Sequence, residues 1–102
     1  MVQNIRVAFD RVAIEAFCAR WMVRELGLIG SATRADFHAG SDVDVVLTFD
    51  PASTWDLFDI VKMRDELAAI FGRPVDLIEE PAVRNPYMRA TIERTKQVLY
   101  AA

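Results

Sequence analysis

Gly30 and Ser31 stand ten residues ahead of a pair of aspartates, Asp42 and Asp44, and a third aspartate, Asp76, interrupts an apolar run further along. Asp42 and Asp44 flank one valine at the head of SDVDVVLTF, whose alternation has the period of a strand, so both carboxylates leave the same face, about 6.5 to 7 Å apart at the backbone. Like charges at that range repel unless something positive lies between them. The opposite face, made of Val43, Val45, Leu47 and Phe49, is entirely apolar and must enter a core, which sets the carboxylates at the rim of a packed layer. A divalent cation is the economical answer. With oxygen ligands only, no cysteine nearby and one distant histidine, the ion is a hard one, Mg²⁺ or Mn²⁺ rather than zinc. Asp76 is the natural third ligand if its strand neighbours the first. Three carboxylates around one or two Mg²⁺ ions can clamp a phosphoryl group between an attacking and a leaving oxygen.

The glycine end of the pattern supplies the other half of such a site. Gly30 lets a backbone approach a phosphate closely, Ser31 offers a hydroxyl and an N–H, and Arg34 offers a planar fork for phosphate oxygens. Ser41 either contacts a phosphate or bonds its own loop so as to orient Asp42. Taken singly, an Asp-x-Asp triplet is often a solvated strand end and a Gly-Ser pair is usually a turn. The joint spacing, with a further strand aspartate downstream, is far more specific.

These residues need elements to hold them. Ile14, Phe17, Cys18 and Trp21 follow helical spacing behind Asp10, a plausible cap, which places Cys18 among core residues rather than as a nucleophile. Val23–Ile29 reads as a strand running into the Gly-Ser pair, and 42–49 as a second. After Pro51, STWD at 53–56 has the form of a capping box, and Leu57, Ile60, Val61, Leu67, Ala68 and Phe71 form the stripe of the helix it opens, closed by Gly72. PVDLIE at 74–79 reads as a third strand, with Val75 and Leu77 on one face and Asp76 and Ile78 on the other. Asn85 and Pro86 then start a last helix through Met88, Ile92 and Leu99. The order helix, strand, strand, helix, strand, helix predicts an α/β (α+β) fold, a small sheet packed against helices.

The whole chain narrows the options. Its 102 residues suit one domain, 1–102, with one core. No apolar run approaches the roughly eighteen residues of a membrane span, and MVQNIRVAFDR has no continuous apolar segment of the signal-peptide kind, so the expected location is the cytoplasm. The single cysteine cannot form an internal disulfide, and the net charge of −3 argues against general nucleic-acid binding.

At Gly30, Ser31, Asp42 and Asp44 the chain resembles the nucleotidyltransferase superfamily that includes DNA polymerase beta and the kanamycin nucleotidyltransferases, and within it the minimal nucleotidyltransferases. The resemblance covers nearly the whole chain, through LGLIGS, SDVDVVLTF, GRPVDLIE and NPYMRATIERTKQVLY. It implies the nucleotidyltransferase fold with a mixed sheet, Mg²⁺ on Asp42, Asp44 and Asp76, and ATP with its phosphates over Gly30 and Ser31. It further implies an antitoxin that adenylylates a tyrosine of a HEPN-domain toxin. Three positions depart from the pattern: Ile29 stands where many members have phenylalanine, and Ala32 and Ala35 fall within what is elsewhere Arg-x-Arg-Gly, which alters the path open to the loop and to Arg34.

The remaining residues have plainer readings beside the functional ones. His38 lies in a turn-like run that favours a solvated loop residue over a phosphate or proton contact. Arg73 either reaches the site or balances a helix C-terminus. Trp55 and Phe58 serve as core or as a partner surface, and Arg84, Arg89, Arg94 and Lys96 as a solvated face or a docking face for an acidic partner. Two other functions compete with catalysis on a toxin: a module that neutralises its partner by occlusion alone, and a small-molecule nucleotidyltransferase, for whose acceptor pocket the chain has little room. A site so open is expected to borrow a wall from a partner or from a second copy of the chain.

Overall fold

The computed structural model describes residues 8–30 and 42–102. Its elements are α1 (Arg11–Arg20), β1 (Val23–Ile29), β2 (Val43–Phe49), α2 (Leu57–Phe71), β3 (Val75–Glu79), α3 (Pro86–Thr95) and β4 (Gln97–Ala101), with a 3-10 turn at Glu80–Ala82. The strands lie in the order β3-β2-β1-β4. Both pairs involving β1 are antiparallel, while β2 and β3 run parallel, joined by the crossover helix that a parallel pair requires.

Strict alternation in β2 decides how the layers pack. Val43, Val45 and Leu47 enter a core with Ile14, Phe17 and Cys18 of α1 and Met63, Leu67 and Phe71 of α2. Val46 points the other way, into a smaller cluster with Ile29 of β1 and Ile92 of α3. The sheet is therefore covered on both faces, by α1 and α2 on one and by α3 on the other. Each fully buried Leu, Ile, Val or Met contributes about 1.5–3 kcal/mol. Cys18 is a core residue as expected; burial, and then the charge of Glu15, pushes its thiol up to about 12.

Several local expectations hold and others are corrected. Asp10 caps α1, accepting from the N–H groups of Val12 (2.9 Å) and Ala13 (3.4 Å). Gly72 ends α2 in the left-handed region at φ 71°, where glycine carries no Cβ penalty. The capping box, however, is formed by Asp56 and Asp59 and not by Ser53 and Asp56. Trp55 explains the displacement: its indole N–H donates to the Trp21 carbonyl at 2.9 Å and its ring meets the Trp21 ring edge-on at 5.1 Å, holding it outside the helix. The buried stripe of α2 is also rotated from the expected one. Met63 lies in the core, whereas Leu57 and Val61 are exposed on the outer side.

The largest correction is at the C-terminal end. The expected last helix stops at Thr95, Lys96 turns extended, and residues 97–101 form a fourth strand that places Leu99 in the main core. The open edge of β1 is the physical reason, since its backbone groups need a second partner strand. Among the described residues no helix is long and apolar enough to cross a membrane.

The capping assignment has a direct test. Asp56→Ala is expected to destabilise the fold by about 1 kcal/mol in urea titrations, with Ser53→Ala close to neutral; the reverse ranking would restore the cap to Ser53.

Candidate active site

Parallel pairing of β2 with β3 sets Val43 opposite Val75 and Asp44 opposite Asp76. Because neighbouring strands are about 4.8 Å apart, this register places the two aspartates side by side on the face that α3 covers further along. The register is tied down just before it begins, where the Val43 N–H donates to the Pro74 carbonyl at 3.0 Å. The condition set in the sequence for Asp76 to join Asp44, that their strands be neighbours, is thus met.

β1 approaches the same corner from the opposite direction. Its last residue, Ile29, pairs with Asp44, so Gly30 arrives beside the Asp44 carboxylate. Gly30 adopts φ 68°, and a Cβ added there would lie 3.0 Å from Asp44 Oδ2. Two constraints therefore select glycine, a left-handed backbone and the closeness of a carboxylate oxygen.

The electrostatics of the corner are graded by burial. Asp44 is half-buried, and its carboxyl is raised above the ordinary value of 3.8, first by burial, then by the negative charges of Asp76 and Asp42, and by a hydrogen bond that the neutral form shares with Asp76. Asp42 and Asp76 are exposed. Ser31, Arg34, Ser41 and His38 lie outside the described residues. Arg73 stands in the turn between α2 and β3, where its backbone N–H donates to the Ala68 carbonyl at 3.2 Å.

Two residues absent from the expected site border this corner through α3. Thr95, read from the sequence as mid-helix, is the last residue of α3, and its hydroxyl oxygen accepts the Gly30 N–H at 3.1 Å. Lys96 follows and reaches Glu25 at 2.5 Å and Glu80 at 2.9 Å. Burial pushes the Lys96 ammonium down, but its hydrogen bonds to Glu25 and Glu80 and their charges outweigh this, and the net shift is upward. The sequence marked Lys96 only as one of the basic residues of a solvated or docking face, whereas it is engaged by Glu25 and Glu80, and it gave no signal for Thr95.

A hollow of about 490 Å³ lined by Cys18, Met22, Arg24, Asp50 and Tyr100, and another of about 170 Å³ beside Phe49, Trp55 and Glu79, lie at the far end of the sheet. Neither includes Asp42, Asp44 or Asp76. Among the described residues no three acidic, histidine or cysteine side chains form a ready-made metal cage. The chemistry of the donors nevertheless suits magnesium, which is commonly held by one or two carboxylates together with substrate phosphates rather than by a complete protein cage.

The profile of the nucleotidyltransferase domain family matches residues 11–99. A Methanocaldococcus jannaschii protein named as a protein adenylyltransferase is 30% identical over 74 residues, covering 72% of this chain and 74% of its own. Protein adenylyltransferase MntA of Thermococcus cleftensis is 27% identical over 81 residues, covering 79% and 77%. The fold is similar to that in a crystal structure of a toxin-antitoxin with AMP-PNP, with a TM-score of 0.72 at 18% identity over 91% of this chain and 74% of that one. It is also similar to a chain from the complex of tri-AMPylated Shewanella oneidensis HEPN toxin with its MNT antitoxin, with a TM-score of 0.63 at 16% identity over 90% and 70%.

The raised carboxyl of Asp44 fixes the sign of a pH effect. A group whose folded-state pKa lies above its unfolded value stabilises the fold while protonated, and that contribution is lost as the pH rises through the raised value. At neutral pH the ionised Asp44 is thus a cost. Asp44→Asn is expected to raise the melting temperature at pH 7 by a few degrees, with the gain disappearing below the ordinary carboxyl range, near pH 3. An equal gain at both pH values would show that charge is not the cause.

Proposed function

The chain belongs to the nucleotidyltransferase domain family, and on that premise we propose that it moves AMP from ATP onto a hydroxyl of a partner protein, a tyrosine of a HEPN-domain toxin, as the antitoxin of the pair. The observation that carries this reading is the register that sets Asp44 against Asp76 beside Gly30. Support also comes from relatives named as protein adenylyltransferases and from structural neighbours solved with AMP-PNP and with an AMPylated HEPN toxin.

In this reading Asp42, Asp44 and Asp76 hold one or two Mg²⁺ ions, and Gly30, Ser31, Arg34 and Ser41 receive the triphosphate. Magnesium, when bound, neutralises phosphate charge and polarises the α-phosphoryl group. Asp44, half-buried and pressed by two like charges, gains most from a cation and acts as the fixed ligand. Asp76 is exposed, so it faces an incoming hydroxyl and accepts its proton. The hydroxyl oxygen then forms a bond to the α-phosphorus as the bond from that phosphorus to the bridging oxygen breaks, and pyrophosphate leaves with the electron pair. Gly30, without a Cβ, keeps the backbone close to the Asp44 carboxylate and to the phosphates.

Neither hollow of the described residues includes these three aspartates, and the reading assigns the acceptor wall to the toxin or to a second copy of the chain. The reaction is placed in the cytoplasm, with residues 1–102 acting as one catalytic domain. The test is transfer of label from α-labelled ATP to the co-purified toxin in the presence of Mg²⁺. Label on a toxin tyrosine is expected, with Asp42→Ala and Asp76→Ala each reducing the rate by at least about a hundredfold and chelation abolishing it. Toxin inhibition that persists undiminished in Asp42→Ala, with no label transferred by the parent protein, would mean neutralisation by occlusion.

A further inference from the structure

The contact between Thr95 and Gly30 joins residues 65 positions apart, at the point where the chain leaves the sheet. The sheet does not need it for register. β1 is already held by β2 on one side and β4 on the other, and Ile29 is buried against Val46 and Ile92. The Thr95 hydroxyl is also constrained in what it can offer. Its single hydrogen donates to the Thr91 carbonyl at 2.7 Å, which leaves only lone pairs facing β1. It therefore acts as a fixed acceptor for the Gly30 N–H.

The end of α3 that carries this acceptor is pinned from both sides. Before it, Ile92 and Met88 pack on Ile29 and Val46. After it, the ammonium of Lys96 bridges Glu25 and Glu80, and the stem of Lys96 crosses β1 at Gly27, where a Cβ would lie 2.9 Å from Lys96 Cγ. Thr95 thus has little freedom to follow Gly30 if Gly30 moves. The glycine is held between a hydroxyl on one side and the Asp44 carboxylate on the other.

We propose that Thr95 is a positioning residue of the nucleotide site: from the end of α3 it fixes the amide of Gly30, and through it the spacing between the phosphate-receiving backbone and the Asp44 carboxylate. This assignment rests on the nucleotidyl-transfer reading above. Thr95 touches neither metal nor nucleotide in it; it acts through Gly30. Loss of the hydroxyl takes away the acceptor of the Gly30 N–H and loosens the triphosphate's grip while the packed core stays in place.

The test compares the parent protein with Thr95→Val, which keeps shape and removes the acceptor, and Thr95→Ser, which keeps the acceptor. Three quantities are measured: exchange of the Gly30 amide hydrogen by NMR in ligand-free protein, affinity for AMP-PNP with Mg²⁺ by titration calorimetry, and melting temperature. Thr95→Val is expected to speed Gly30 exchange roughly tenfold and weaken AMP-PNP binding about three- to tenfold, with the melting temperature within a few degrees of the parent and Thr95→Ser close to it on all three. Should Thr95→Val fail to fold, Thr95→Ala is read in its place. Unchanged affinity in the variant lacking the hydroxyl overturns the role of Thr95, as does equal weakening in Thr95→Ser. If the parent protein itself does not bind AMP-PNP, the nucleotidyl-transfer reading falls, and this assignment with it.

Discussion

The parallel register of β2 on β3 is the constraint from which the rest of the structure follows. It sets two carboxylates about one strand spacing apart at the start of both strands, which is an unfavourable arrangement for an empty protein surface. Nothing in the core requires it. Val43 and Val75 would pack equally well with a neutral residue following each, since positions 44 and 76 lie on the opposite face from them. The fold tolerates the charge because both faces of the sheet are covered by helices, and apolar burial on the α1 and α2 side is worth several times the cost of one half-buried acid. A repulsion kept at a rim, beside a glycine in the left-handed region, is the kind of local inconsistency expected where function rather than stability selects residues.

α3 closes the other face of that arrangement. Its apolar contact is small, three buried residues with Ile78, Val83 and Met88 around them, so it is not held by hydrophobic area alone. Polar contacts at its C-terminal end make up the difference. Lys96 between Glu25 and Glu80 is a partly buried network rather than an isolated surface pair, and networks of this kind hold geometry better than single exposed ion pairs do. Immediately after it the chain extends into β4 and covers the edge of β1. The same few residues therefore end a helix, brace Gly30 and complete the sheet.

Much of this was legible from residue patterns. The alternation in SDVDVVLTF fixed which side of β2 was core, the lone aspartate of PVDLIE pointed to the second carboxylate, and Asp10, Gly72, Asn85 and Pro86 marked helix ends through their backbone and capping chemistry. What stayed hidden depended on distant partners. QVLYA follows α3 without a glycine or proline to break the helical spacing, and only the unpaired edge of β1 makes it a strand. Trp55 leaves α2 because Trp21, 34 residues away, offers its carbonyl. Thr95 looks like any polar residue late in a helix until tertiary packing brings Gly30 to it. Local chemistry is written in the sequence; contacts that convert one local option into another are not.

Burial separates the roles of the two paired aspartates in the proposed reaction. A ligand that holds a cation through a catalytic cycle must keep its position and its preference for the charged partner, and a half-buried carboxylate under like-charge pressure meets both demands. A group that receives a proton from an acceptor hydroxyl must instead be reachable from outside, and its neighbour in register is the exposed one. Exchange of the two residues' environments would defeat this division: the deeper acid would be shielded from the acceptor hydroxyl. The difference between β2, flanked on both sides within the sheet, and β3 at its edge is enough to create that contrast from two identical side chains in register.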